Sequence, residues 1–265
     1  MKTKTMLTLV ICAALSLAGQ VLQSLLGYEA ETGLPTHGLW FLLPVLAAAI
    51  LWFLAVRPLP NDSAPVFPQS FPLTKNGLLL PVAGAGLVAL SGIAWLAGAL
   101  LPPTAEVISA EGISTTILVD SLVPTPTMLA LGVTALLLGA ALVPTVISCL
   151  TRDGQDHSFN TLLLLAAPVV LVARSVLVYR IHSIDPIVGH YAVELLAMVT
   201  LTLAYYRLAG FGFGAGNTRR FALYAGWAVS LSLAAIAAVG FPDALFYLGH
   251  ALVLAGLLSA RTAAN

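Results

Sequence analysis

Charge is what this sequence has least of. Asp, Glu, Lys and Arg make up 8% of the residues, where an ordinary soluble domain carries about 25%. A water-soluble fold this poor in charge would have an apolar surface and precipitate. Hydrophobic residues are 59% of the 265 and the mean hydropathy is +0.99, so the solvent this chain suits is lipid. Cysteine is scarce too. Cys12 and Cys149 sit in apolar runs with no Cys-x-x-Cys and no metal-ligand spacing, which reads as reduced thiols packed between helices. There is no long basic tail, no zinc pattern and no polar stretch large enough to fold alone. Nucleic-acid binding and a separate soluble domain are thereby excluded.

What the sequence has in abundance is apolar length. A spanning helix needs about 20 mostly apolar residues, and eight segments qualify: 5–27, 38–57, 77–101, 127–150, 160–183, 187–209, 220–240 and 243–260. The expected fold is all-α, a polytopic membrane bundle of about eight transmembrane helices forming a single domain over 1–265. The start, MKTKTMLTLVICAALSLAGQ, has the basic-then-apolar form of a signal peptide. Its apolar stretch runs past Gln20 and Gln23 to Leu26, which is long enough to span, so a retained first helix is expected. The proline-rich RPLPNDSAPVFPQSFPLTKNG between segments two and three reads as an irregular surface loop.

Lysine and arginine set the orientation. With the N-terminus inside, Lys2, Lys4, Arg57, Lys75, Arg152, Arg207, Arg219, Arg220 and Arg261 fall on the cytoplasmic side, and only Arg180 falls outside. Both termini are therefore expected in the cytoplasm, in a multi-pass protein of the inner (plasma) membrane. The outer loop 102–126, rich in Val, Ile and Thr around Glu111-Gly112, reads as a small β-hairpin or flap. Segments 82–99 and 131–144 carry Gly, Ala, Ser and Thr at close spacing, which lets helices approach each other in lipid. Pro144 and Pro168 fall within helical runs and are expected to kink them. Trp40, Trp52, Tyr28, Phe241 and Tyr247 read as interfacial anchors.

Ionisable groups inside a membrane are expensive and suggest function by default. Here they are Arg174, His190, Glu194 and His250. Arg174 lies about 13 Å inside segment five and Glu194 about 10 Å inside segment six, by helical rise. The short SIDP connection makes those segments antiparallel neighbours, so an Arg174–Glu194 ion pair is the cheapest way to keep both. His190 precedes Glu194 by four residues, on the same helical face. His250 is about 10 Å deep in segment eight. With Tyr191 and Gln20, these residues form the candidate ligand-binding set, at the outer end of the bundle.

Reaction chemistry finds little support. His190, Glu194 and His250 could make a two-His-one-carboxylate set, but no His-Glu-x-x-His is present. No Gly-x-Ser-x-Gly exists; Ser175, Ser230 and Ser232 read as helix-face hydroxyls bonded to backbone carbonyls. The glycine-rich GFGFGAGNTRR (210–220) has no strand before it and no Gly-Lys-Ser/Thr after it, so it reads as a turn whose Arg219 and Arg220 anchor to anionic headgroups. No catalytic residue, metal or cofactor is assigned. The expected partners are the lipid bilayer, a small-molecule ligand and a partner membrane subunit. The leading reading is a small-molecule binding or transport protein, or a membrane subunit of a transporter, with an outward-facing polar cavity. The alternatives are a structural, sensory or assembly partner without a ligand, and an intramembrane enzyme using His and Glu.

Overall fold

The structure, a computed structural model, describes residues 2–29, 34, 42–60, 67, 70–101, 104–108, 114–118, 123–149, 158–183 and 191–264. Eight helices follow one another: α1 (Lys2–Leu26), α2 (Leu42–Val56), α3 (Lys75–Leu100), α4 (Thr125–Ser148), α5 (Ser158–His182), α6 (Ala192–Gly212), α7 (Thr218–Ala235) and α8 (Phe241–Ala264). Between α3 and α4 the backbone of β1 (Thr104–Ile108) pairs antiparallel with β2 (Ser114–Leu118), with Thr104 opposite Leu118 and Glu106 opposite Thr116. The architecture is a multi-pass helical membrane bundle. Six helices are long and apolar enough to cross a membrane: α1, α3, α4, α5, α6 and α8. α2 is a shorter apolar helix, and α7, which opens on Thr218-Arg219-Arg220, is not among the six.

Leu79, Ile93, Val169, Val176, Leu7 and Ile50 are exposed on the outer faces of their helices. Such a surface fits lipid and not water. Pro81, Pro144 and Pro168 all lie within helices that continue through them. Cys12 and Cys149 are buried free thiols, as their apolar settings imply.

Helix adjacency gives the bundle its plan. α3 packs on α4, α4 on α5, α5 on α6, α6 on α7, α7 on α8, and α8 back on α3. These six close into a ring. α1 and α2 pair with each other and lie against α7, outside the ring. The closing seam, α3 on α8, is made by glycine. A Cβ on Gly84 would lie 2.5 Å from the Gly249 carbonyl oxygen, and one on Gly249 would lie 2.6 Å from the Gly84 oxygen. On its other side α3 meets α4 the same way, at Gly92 and Gly132. Only a bare Cα permits such backbone approach. The small-residue stripe 82–99 thus serves both sides of α3, and the stripe 131–144 supplies the α4 side of one seam.

Two parts of the chain depart from the reading of the sequence. Trp52 is not an interfacial anchor. It is fully buried, its indole N–H donates to the carbonyls of Ala222 and Leu223 at 3.1 Å each, and its ring covers Gly226. That contact ties α2 to α7. The segment after α2 is also more than a surface loop. Phe71 is buried against Phe211 and Phe221, the Phe67 ring packs on Phe71, and the Phe67 N–H donates to the Phe211 carbonyl at 2.9 Å. Arg261 of α8 reaches the same end, donating to Thr218 Oγ1 at 2.7 and 3.0 Å and to the Ser70 carbonyl at 3.2 Å. Apolar spacing along the chain could not reveal a loop that buries two phenylalanines across 140 residues of separation.

Candidate functional site

The buried carboxylate Glu194, the buried Arg174 with its partner Asp243, and His250 lie toward the end of the bundle away from Arg207, Arg220 and Arg261. Five helices supply them and their partners, all inside the ring: the last turns of α3 and α5 and the first turns of α4, α6 and α8. Arg174 is the centre. Its side chain is fully buried; Nη2 meets Asp243 Oδ1 at 2.6 Å, and Nη1 donates to the Leu131 carbonyl at 2.7 Å and to Thr134 Oγ1 at 3.3 Å. The Phe246 ring lies 3.9 Å from the guanidinium carbon, a cation–π contact. Asp243 Oδ1 also accepts from the Trp95 indole at 3.1 Å. One arginine thus binds α4, α5 and α8 together, and Trp95 adds α3.

A second node surrounds Glu194, in the first turn of α6. Its Oε2 lies 2.9 Å from His182 Nε2 at the end of α5, and its Oε1 accepts from the Tyr247 hydroxyl at 3.2 Å. The His182 ring stacks on Tyr191, 9° from parallel at 5.3 Å. Glu194 is 5% exposed but His182 is 35% exposed, so this pair runs from the interior to the surface. A third node lies deeper: the Tyr205 hydroxyl is 2.8 Å from His250 Nδ1, and His250 Nε2 is buried with no partner.

The expected residues are therefore divided, not assembled into one pair. Arg174 takes Asp243 as its counter-ion, and Glu194 takes His182 and Tyr247. The reason lies in where α5 ends and α6 begins. α6 begins at Ala192, not near residue 187, so Glu194 sits in a first turn while Arg174 lies eight residues before the end of α5. The two are not level. Tyr247, read as an interfacial anchor, is buried in the layer instead. His190 lies outside the described residues, as do Trp40 and the rest of 184–190. Gln20 and Gln23 are buried on α1, their amide oxygens unpartnered, away from the ring interior that holds Arg174. Ser175 does donate to the Leu171 carbonyl at 2.8 Å, but the Ser230 and Ser232 hydroxyls are buried without a partner.

Asp243 was absent from the residues singled out by sequence, although a pattern marks it. Asp243, Tyr247 and His250 follow at i, i+4 and i+7, one polar stripe down an otherwise apolar α8. A helix begun two residues earlier would have placed Asp243 inside the membrane with the others. Among the described residues no group of three His, Cys, Asp or Glu side chains could hold a metal ion.

Fold and layer together define an integral membrane helical bundle with a buried, charge-bearing network at one end. No family model matches the chain, and no curated protein or solved structure does so either.

Proposed function

We propose that this chain is a small-molecule binding or transport protein of the plasma membrane, or the membrane subunit of a transporter, and that its site is the Glu194–His182–Tyr247 node. The observation that supports this is an excess of acid. Among the described residues the layer sets one buried arginine against two carboxylates, Asp243 and Glu194. Asp243 is matched by Arg174. Glu194 is matched by a histidine, which carries a positive charge only when protonated. Locking a bundle takes one ion pair; a second buried carboxylate adds desolvation cost that packing alone does not require. Whenever His182 is neutral, the node lacks one positive charge, and a proton or a small cation at Glu194 would restore it. The partly exposed imidazole provides the way in.

Arg174 has a different part. Its guanidinium is buried and held by Asp243, Leu131, Thr134 and Phe246, which favours a helix clamp that holds the site in shape.

Purified protein in detergent tests the assignment. Infrared difference spectra on acidification report carboxyl protonation, and thermal unfolding with sodium, potassium, methylammonium or choline reports cation binding. In wild type, a carboxyl band titrates and one of the cations raises the melting temperature. Both effects vanish in Glu194→Gln, which remains folded. Equal responses from wild type and Glu194→Gln would leave the layer as a helix lock alone.

A further inference from the structure

At the opposite end of the bundle, where the lysines and arginines gather, lies a cleft of about 230 Å³ lined by Leu165 of α5, Tyr206 and Arg207 of α6, Phe213, and Asn217 and Arg220 at the start of α7. We propose that it is a binding site for a phosphate group, that of an anionic phospholipid headgroup, held between Arg207 and Arg220.

The two arginines are the first reason. Arg207 is half-buried and its Nε is buried without a partner, while its guanidinium carbon lies 5.5 Å from the Tyr206 ring and 5.7 Å from the Tyr224 ring. The aromatic rings hold the cation in place without neutralising it. Neither Arg207 nor Arg220 forms an ion pair among the described residues, and the carboxylates whose burial is described, Glu29, Glu194 and Asp243, all belong to the other end. Two guanidinium groups beside one cleft, with no acid among its described lining residues, offer the planar paired donors that suit phosphate oxygens. Arg261, by contrast, is also buried at this end but is spent on Thr218 and Ser70.

The backbone adds to the charge. Gly214 adopts φ +70°, which turns the chain from α6 into α7. Asn217 then caps α7, its Oδ1 accepting from the Arg220 N–H at 2.9 Å. The positive end of an 18-residue helix thereby meets the cleft.

The rim names the source of the phosphate. Leu165, Tyr206 and Phe213 are exposed beside the cleft, and on this bundle exposed apolar side chains face acyl chains. Basic pockets between helices on the positive side of a membrane protein are suited to anionic headgroups. A free phosphate would use the arginines but not the apolar rim.

Native mass spectrometry of the full-length protein, with equimolar phosphatidylglycerol and phosphatidylcholine added in detergent, reads the preference. Wild type retains phosphatidylglycerol selectively. Arg207→Gln with Arg220→Gln lowers that preference roughly thirtyfold, the effect of two interfacial cations. Arg207→Lys with Arg220→Lys keeps much of it, and Arg57→Gln, an exposed charge at the same end, leaves it unchanged. Melting curves of every variant confirm that it is folded. In a second arm, inorganic phosphate is titrated into delipidated protein. Phosphate that binds wild type but not the double glutamine variant, without lipid preference, would assign the same cleft to a soluble phosphate. Absence of both lipid preference and phosphate binding in wild type would overturn the site. So would an equal loss in Arg57→Gln, since diffuse charge would then explain the effect.

Discussion

Arg174 shows how far a single residue's partners can lie from where the chain suggests. The nearest acid along the sequence is Asp185 and the nearest within a helix is Glu194, yet the counter-ion is Asp243, 69 residues away. Hydropathy identified Arg174 as buried, because burial of a charge within an apolar run is a local property. The partner depends on which helix closes against which, and that is not local. Breaking such a pair leaves a buried charge uncompensated and costs about 3–5 kcal/mol, whereas replacing both members with apolar residues is often tolerated. Arg174→Met is therefore expected to lower thermal stability sharply, and Arg174→Met with Asp243→Leu to recover most of the loss. A double variant no more stable than the single one would show that Leu131 and Thr134, not Asp243, carry the pair's stabilisation.

For the elements, α3 is the most constrained. Both its flanks are glycine seams, at Gly84 against Gly249 and at Gly92 against Gly132. The composition of 82–99 announced close packing, but not that two different helices would use it. Overpacking of this kind costs about 1–3 kcal/mol. Gly84→Ala should destabilise the protein by that order, because the new methyl meets a backbone oxygen that cannot rotate away. Gly98→Ala, with nothing within 4 Å of its added carbon, should be neutral or slightly stabilising, since alanine favours helix. Paired thermal melts of the two variants check both statements.

The whole molecule divides unequally. The ring α3–α8 holds every member of the polar layer, while α1 and α2 touch it chiefly through α7. Trp52, filling the space over Gly226, is one large buried side chain across that boundary. Trp52→Ala should loosen α1 and α2 ahead of the ring, by about 3–5 kcal/mol for a large buried aromatic. Hydrogen exchange would then speed up in α1 and α2 while α3 to α6 stay protected; uniform acceleration would mean that the bundle is one cooperative unit. The helical membrane bundle and its eight helical segments were legible in the sequence, because they follow from apolar length; of the eight spans expected, six helices are long and apolar enough to cross a membrane. The ring, the outlying pair and the docked Phe67 and Phe71 were not. They are set by side-chain shape between segments far apart in the chain.

Ring closure by α8 also sets a clock on biosynthesis. Arg174 enters the membrane with α5, when Leu131 and Thr134 of α4 are already made but Asp243 is not. At about 5–20 residues per second, the 69 residues that follow take roughly 3–14 s. For that interval a guanidinium waits in the bilayer, or at the insertion machinery, for an acid that has not yet been translated. The Leu131 carbonyl and the Thr134 hydroxyl are then the polar partners from α4 that can hold it.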